Sequence, residues 1–128
     1  MSAVPQEESP HKGKTGVQRI VNATRWSLEG LGAAARHEYA FRIELIVFAL
    51  AAPLGLWLGR TGLERALLLG CLFLVLIVEL LNSAIEAAVD RVSLDNHRLA
   101  KRAKDIGSAA VMLSLVNAAV IWLLIVLT

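Results

Sequence analysis

A chain of 128 residues that is 56% hydrophobic and 19% charged, with mean hydropathy +0.60, is not a small soluble domain, because it has too little polar side chain to cover its own surface. A net charge of +2 is too small to mark a nucleic-acid partner, and the single Cys71 excludes an intrachain disulfide or a thiolate metal cluster. Charged residues gather in short stretches between long apolar runs, the pattern of a multi-pass membrane protein with little outside the bilayer.

In chain order, residues 1–15, "MSAVPQEESPHKGKT", hold two prolines and no hydrophobic period and read as a disordered tail. The first forty residues contain no apolar stretch of signal-peptide type. "GKT" (Gly13–Thr15) imitates the end of a phosphate-binding loop, but Glu8 stands where that loop needs glycine.

From residue 17 to 36 the period becomes helical. Val17, Ile20, Val21, Thr24, Leu28, Leu31 and Ala35 share one face, with Gln18, Arg19, Asn22, Arg25, Glu29 and Arg36 opposite. This predicts an amphipathic helix lying in the membrane interface. Trp26 falls on the polar side near Arg19, which suits either an interfacial anchor or an aromatic offered to a soluble ligand.

Three spans follow. The first, about 43–58, contains Pro53 and a Gly55/Gly59 pair at the spacing of close helix contact. A tight connection, "GRTGLER" (Gly59–Arg65), leads into the second at about 63–90. A basic link (91–105) precedes the third, 106–128. Eleven of the thirteen Lys and Arg residues lie in the N-terminal region and this link, so the positive-inside rule puts both in the cytoplasm. Cys71 reads as a buried small hydrophobe. His11, His37 and His97 show no metal-ligand spacing and read as surface histidines.

The second span carries the chemistry. Glu79, Asn82, Ser83, Glu86 and Asp90 fall within one stripe about a third of a turn wide. With about 20 residues from Ala66 spanning the hydrocarbon, Glu86 and Asp90 are at the boundary and Glu79 is roughly 9 Å deeper at 1.5 Å per residue. A charge inside a membrane costs on the order of 2.5–3.5 kcal/mol. A protonated or hydrogen-bonded Glu79 acting as polar glue would explain one such residue, but not a stripe leading from water to headgroup depth. A carboxylate withdrawn from water is a stronger proton acceptor, which suits a general base. Carboxylates at the boundary suit Mg²⁺, which brings phosphates with it. Arg91, Arg98, Lys101, Arg102 and Lys104 could steer an anion, although topology already explains most of them. The residues therefore predict chemistry on a lipid headgroup with an anionic cytoplasmic substrate.

"VELLNSAIEAAVDR" (Val78–Arg91) closely resembles the signature of the small bacterial integral-membrane diacylglycerol kinases, whose Gram-positive relatives phosphorylate undecaprenol. The similarity extends through "TGVQRI" (Thr15–Ile20), "EYAFRIE" (Glu38–Glu44) and "RAKDIGSAAV" (Arg102–Val111). The resemblance implies an all-α membrane protein of the bacterial inner membrane, a homotrimer of three-span subunits with a surface helix. It implies transfer of the ATP γ-phosphoryl group to diacylglycerol, giving phosphatidic acid. Glu79 matches the catalytic base, supported by Asn82; Glu38 and Glu86 match the pair holding Mg²⁺ on ATP. Asp90 matches a motif residue that supports the nucleotide site. Arg19, Asp95, Asn96, His97, Lys104 and Asp105 match nucleotide-contacting positions, with Trp26 standing where the enteric form has tyrosine. On the lipid side Ser108 matches a lipid-proximal position, with Arg42, Ile43 and Glu44 about where a headgroup meets the surface helix and Glu79 reaching the acceptor. Ile43 replaces a glutamine of the enteric form. Undecaprenol kinase, a proton- or ion-coupled transporter using Glu79 as a relay, and a non-catalytic assembly subunit are the alternatives. The transporter leaves Glu86 and Asp90 unexplained, and the assembly subunit leaves the whole stripe unexplained.

Overall fold

The computed structural model describes residues 16–92 and 97–128. The predicted tail, together with Asp95 and Asn96, lies outside the described residues. Four helices account for nearly all of them: α1 (Gly16–His37), α2 (Tyr39–Leu58), α3 (Gly62–Val92) and α4 (Arg98–Leu127). No strand occurs among the described residues. The chain divides into two compact units, the first ending at Ala33 and the second running from Ala34 to Thr128.

The first unit is the greater part of α1. Gln18 Nε2 and Arg25 donate to Asn22 Oδ1 at 3.1 and 3.3 Å, one helical turn to either side. Thr24 and Ser27 hydroxyls donate back to the carbonyls of Ile20 and Ala23. Val17, Ile20, Val21, Leu28 and Leu31, all of the predicted apolar face, are exposed.

In the second unit the helix breaks at Glu38, which takes an extended backbone (φ −111°, ψ 107°). Arg42 secures the break. Its guanidinium donates to the carbonyls of Ala35 and Arg36 at 3.1 and 2.8 Å, two of the orphan acceptors at the end of α1. α2 therefore begins at Tyr39, four residues before the predicted span. Pro53 lies inside it without ending it.

α2, α3 and α4 are each long and apolar enough to cross a membrane. α3 is the central element, packed against both α2 and α4. Phe41, Leu68, Cys71 and Val75 form the buried apolar core, and Phe48 meets Phe73 edge-on at 4.8 Å. The two glycines of the 55/59 pair do different jobs. A Cβ on Gly55 would lie 3.3 Å from Leu68, Leu69 and Trp122 side chains, so its absence lets three helices close together. Gly59 caps α2, its N–H donating to the Gly55 carbonyl. Trp122 Nε1 donates to the Leu68 carbonyl at 3.2 Å, and the buried Cys71 thiol turns to the same acceptor.

The α2–α3 link is short because α3 is capped at once. Thr61 Oγ1 accepts from the Glu64 N–H at 3.1 Å, and the Glu64 carboxylate accepts from the Arg60 N–H at 2.9 Å, a variant of the capping box. At the other link the apolar run and the helix do not coincide. α4 starts at Arg98, eight residues before the predicted span. His97 Nδ1 caps it by accepting from the Leu99 N–H, and Lys101 pairs with Asp105 one turn on.

Candidate active site

The helical repeat turns the α3 stripe inward. Glu79 is 5% exposed, Asn82 7% and Ser83 8%, three polar side chains on a helix whose other buried residues are apolar. Glu86 is half-buried and Asp90 exposed, so the stripe grades from enclosed to open along the helix. Asn82 Nδ2 donates to Glu86 Oε1 at 3.4 Å. Asp90 pairs with Lys104 at 2.5 Å, tying the ends of α3 and α4 together.

Two further carboxylates converge from α2 and its start. The charges of Glu86 and Glu38 both act on Glu79, and that of Glu79 acts on Glu44. The ion pairs among the described residues are Arg60–Glu64, Lys101–Asp105 and Lys104–Asp90, so none neutralises Glu38, Glu44, Glu79 or Glu86. Lys104, whose charge also couples to Glu86, is the cation on the open side. Glu44 Oε2, Asn82 Oδ1 and Ser83 Oγ are buried with no hydrogen-bond partner among the described residues. Native interiors seldom leave such atoms unpaired unless something else is to meet them.

Glu44 belongs to a groove of about 460 Å³ between the helices, lined by Tyr39, Ile43, Val47 and Phe48 of α2, Val75 and Leu76 of α3, and Leu115 of α4. The lining is almost wholly apolar apart from that carboxylate.

Glu38, Glu44, Glu79, Asn82 and Glu86 are thus brought into one electrostatic neighbourhood. Asp90 and Lys104 meet each other at its open end. Asp105 is exposed and paired with Lys101; His97, the N-cap of α4, and Ser108 within it are exposed. Ile43 lines the groove, and Arg42, exposed beside it, is held against the end of α1 and over the Tyr39 ring. Arg19, exposed, and Trp26, half-buried, lie in the first unit. Ser83 and Gly107 were not among the predicted site residues. Ser83 was visible on the stripe; Gly107, a glycine inside a helical run, was the signal for a close approach.

Mg²⁺ is bound through one or two carboxylates, with phosphate oxygens and water completing the octahedron. Glu38 and Glu86, both acting on Glu79, are the two carboxylates of the site available to such an ion.

Three helices of membrane-spanning length, the central one carrying the buried carboxylate Glu79, place the chain among multi-pass membrane proteins. The sequence is more specific: the profile of the family described as prokaryotic diacylglycerol kinase matches residues 25–126, and the chain belongs to that family of lipid kinases. It is similar to the diacylglycerol kinase of Pseudomonas aeruginosa, 51% identical over 119 residues that cover 93% of this chain and 97% of that one. It is also similar to those of Escherichia coli K12, 46% identical over 84% of this chain and 88% of the relative, and Haemophilus influenzae, 42% identical over 84% and 92%.

Proposed function

We propose that the protein transfers the γ-phosphoryl group of ATP to the free hydroxyl of diacylglycerol, forming phosphatidic acid at the cytoplasmic surface of the bacterial inner membrane. The observation that carries this reading is the buried Glu79, unneutralised and coupled to Glu44 of an apolar groove on one side and to Glu38 and Glu86 on the other. In this reading the groove takes the acyl chains and brings the hydroxyl to headgroup depth. Glu79 accepts the hydroxyl proton as the oxygen attacks the γ-phosphorus, the bond to the β-phosphate breaks and ADP leaves, while Asn82 donates its side-chain amide to Glu86. Glu38 and Glu86 hold Mg²⁺, which neutralises phosphate charge when bound. Arg19, Trp26, Asp90, Asp95, Asn96, His97, Lys104 and Asp105 serve the nucleotide; Arg42, Ile43, Glu44 and Ser108 serve the lipid. Positioning and charge neutralisation supply most of the catalysis in phosphoryl transfer, so no soluble kinase fold is required.

The positive-inside distribution supports a cytoplasmic site. The exposed apolar face of α1 supports its lying in the interface as an amphipathic surface helix. A homotrimer is supported by α3, where Leu67, Gly70, Leu74, Ile77, Leu81, Ala84 and Ala88 are exposed at alternating three- and four-residue spacing, the seam of a helix that packs on copies of itself. The test is a detergent-micelle assay with Mg-ATP and a panel of lipid alcohols. ATP consumption that ignores added diacylglycerol would sink the reading, and would return Glu79 to a relay role.

Ile43 favours a second, broader acceptor reading. An apolar side chain in the groove offers a glycerol backbone no hydrogen bond, and an apolar pocket discriminates weakly. Diacylglycerol should be preferred, with a long-chain prenol accepted to a measurable degree. Ile43→Gln should sharpen that preference by roughly 1 kcal/mol, one ordinary hydrogen bond. The check is kcat/KM for both lipids; an unchanged ratio places lipid choice elsewhere.

A further inference from the structure

Glycine is the least favourable helix residue after proline, so one within a long helix calls for a reason. Gly70 of α3 has open space around it, but Gly107 of α4 does not. A Cβ built on Gly107 would collide with Oδ1 of Asn82, and Asn82 Cγ lies 3.3 Å from the same point. The Asn82 amide thus fills the space that any other residue at 107 would take. Its oxygen is buried and unpartnered among the described residues. Its nitrogen donates to Glu86 Oε1. No donor therefore holds that oxygen; what fixes the amide is the bare backbone of α4 on one side and Glu86 on the other.

We propose that Gly107 is a positioning residue, its missing side chain fixing the Asn82 rotamer that presents an N–H to Glu86. The role in turnover rests on the reading of Glu86 as a carrier of Mg-ATP; the hold on Asn82 does not. A methyl group at 107 forces the amide to swing away, and Glu86 loses the hydrogen bond that orients its carboxylate. Misplacement by about 1 Å can reduce turnover on the order of 10²-fold.

The test is a double-mutant cycle on the full-length protein in detergent, using Gly107→Ala, Asn82→Ala and the two combined. Gly107→Ala alone should lower kcat/KM for Mg-ATP on the order of 10²-fold, with KM for diacylglycerol little changed. It should also move the Asn82 side-chain amide resonance in ¹⁵N-asparagine-labelled protein, identified by its loss in Asn82→Ala. In the Asn82→Ala background the methyl has room, so adding Gly107→Ala should neither lower activity further nor reduce thermal stability. Equal losses in both backgrounds, or an unmoved amide resonance, would overturn the proposal and leave Gly107 a packing residue. If Gly107→Ala alone fails to fold, recovery of folding in the combined variant supports the proposal, and failure there overturns it. Wild-type protein without Mg-ATP-dependent activity would instead defeat the kinase reading, while the resonance and stability arms would still decide the hold on Asn82.

Discussion

At the α2–α3 link, Arg60, Thr61, Glu64 and Arg65 are all partnered, with Arg65 Nε donating to the Leu56 carbonyl at 3.0 Å. About 27 Å along the same helix, at 1.5 Å per residue, Glu79 is buried without a cation, and Asn82 Oδ1 and Ser83 Oγ have no hydrogen-bond partner among the described residues. The contrast holds for one residue type. Ser114 of α4 donates to the Val111 carbonyl at 2.7 Å, whereas the equally buried Ser83 does not. A buried polar group left unmatched costs roughly 1–3 kcal/mol. Helices that satisfy such groups so fully at one end have no folding reason to strand them at the other. The link end is matched within one chain, whereas the carboxylate end offers unmatched groups, in keeping with the proposed site.

Breaking this contrast should separate activity from folding. The largest effect is expected of Glu79→Gln, which preserves shape but cannot accept a proton. Activity should fall by at least about 10²-fold, the lower range for loss of a general base, while thermal stability holds or rises. Near-wild-type turnover would remove Glu79 from the mechanism. Glu38→Gln and Glu86→Gln should each raise the Mg²⁺ concentration needed for half-maximal rate by about tenfold, one hydrogen-bonded charge lost from the metal site. A raised KM for lipid with unchanged Mg²⁺ dependence would contradict that assignment.

The link end should answer in the opposite currency. Gly55→Val pushes two methyl groups against Leu68 and Trp122, and overpacking of this kind destabilises by about 1–3 kcal/mol. Activity per folded molecule should be kept, so a loss measured on properly folded protein would show that the two ends are coupled. Thr61→Ala removes the cap of α3 and should cost about 1 kcal/mol, read as a lowered Tm with no change in kcat.

The inward stripe of α3 was legible in the sequence because a 100° repeat is a local property, and no fold is needed to see that Glu79, Asn82 and Ser83 share a side. Helix limits were less legible where hydropathy served as a proxy for them. Arg98–Asp105 is polar but helical, since Lys101–Asp105 and the His97 cap stabilise a turn that the membrane does not. Likewise Arg42 reads as a residue at headgroup level, and its contacts with the carbonyls at the end of α1 are visible only in the structure. Gly107 signalled a close approach, but its partner Asn82 and the groove around Glu44 were out of reach, because each is defined by residues on another helix. Lys104 stood out in the sequence as one of a basic cluster and, by resemblance, as a nucleotide-contacting position; its pairing with Asp90 depends on where α4 begins.

The brevity of the α2–α3 link also bears on biogenesis. Three residues separate Leu58 from Gly62, and Arg65 of α3 is bonded back to α2. In the proposed orientation this turn must be translocated, and a link this short favours entry of the two helices into lipid as one hairpin. In the folded turn the Arg60 guanidinium and main-chain N–H meet the Glu64 carboxylate, so its charge is compensated on the translocated side. The Arg65 guanidinium is bonded to a backbone carbonyl of the partner helix, so the turn carries its own substitutes for water.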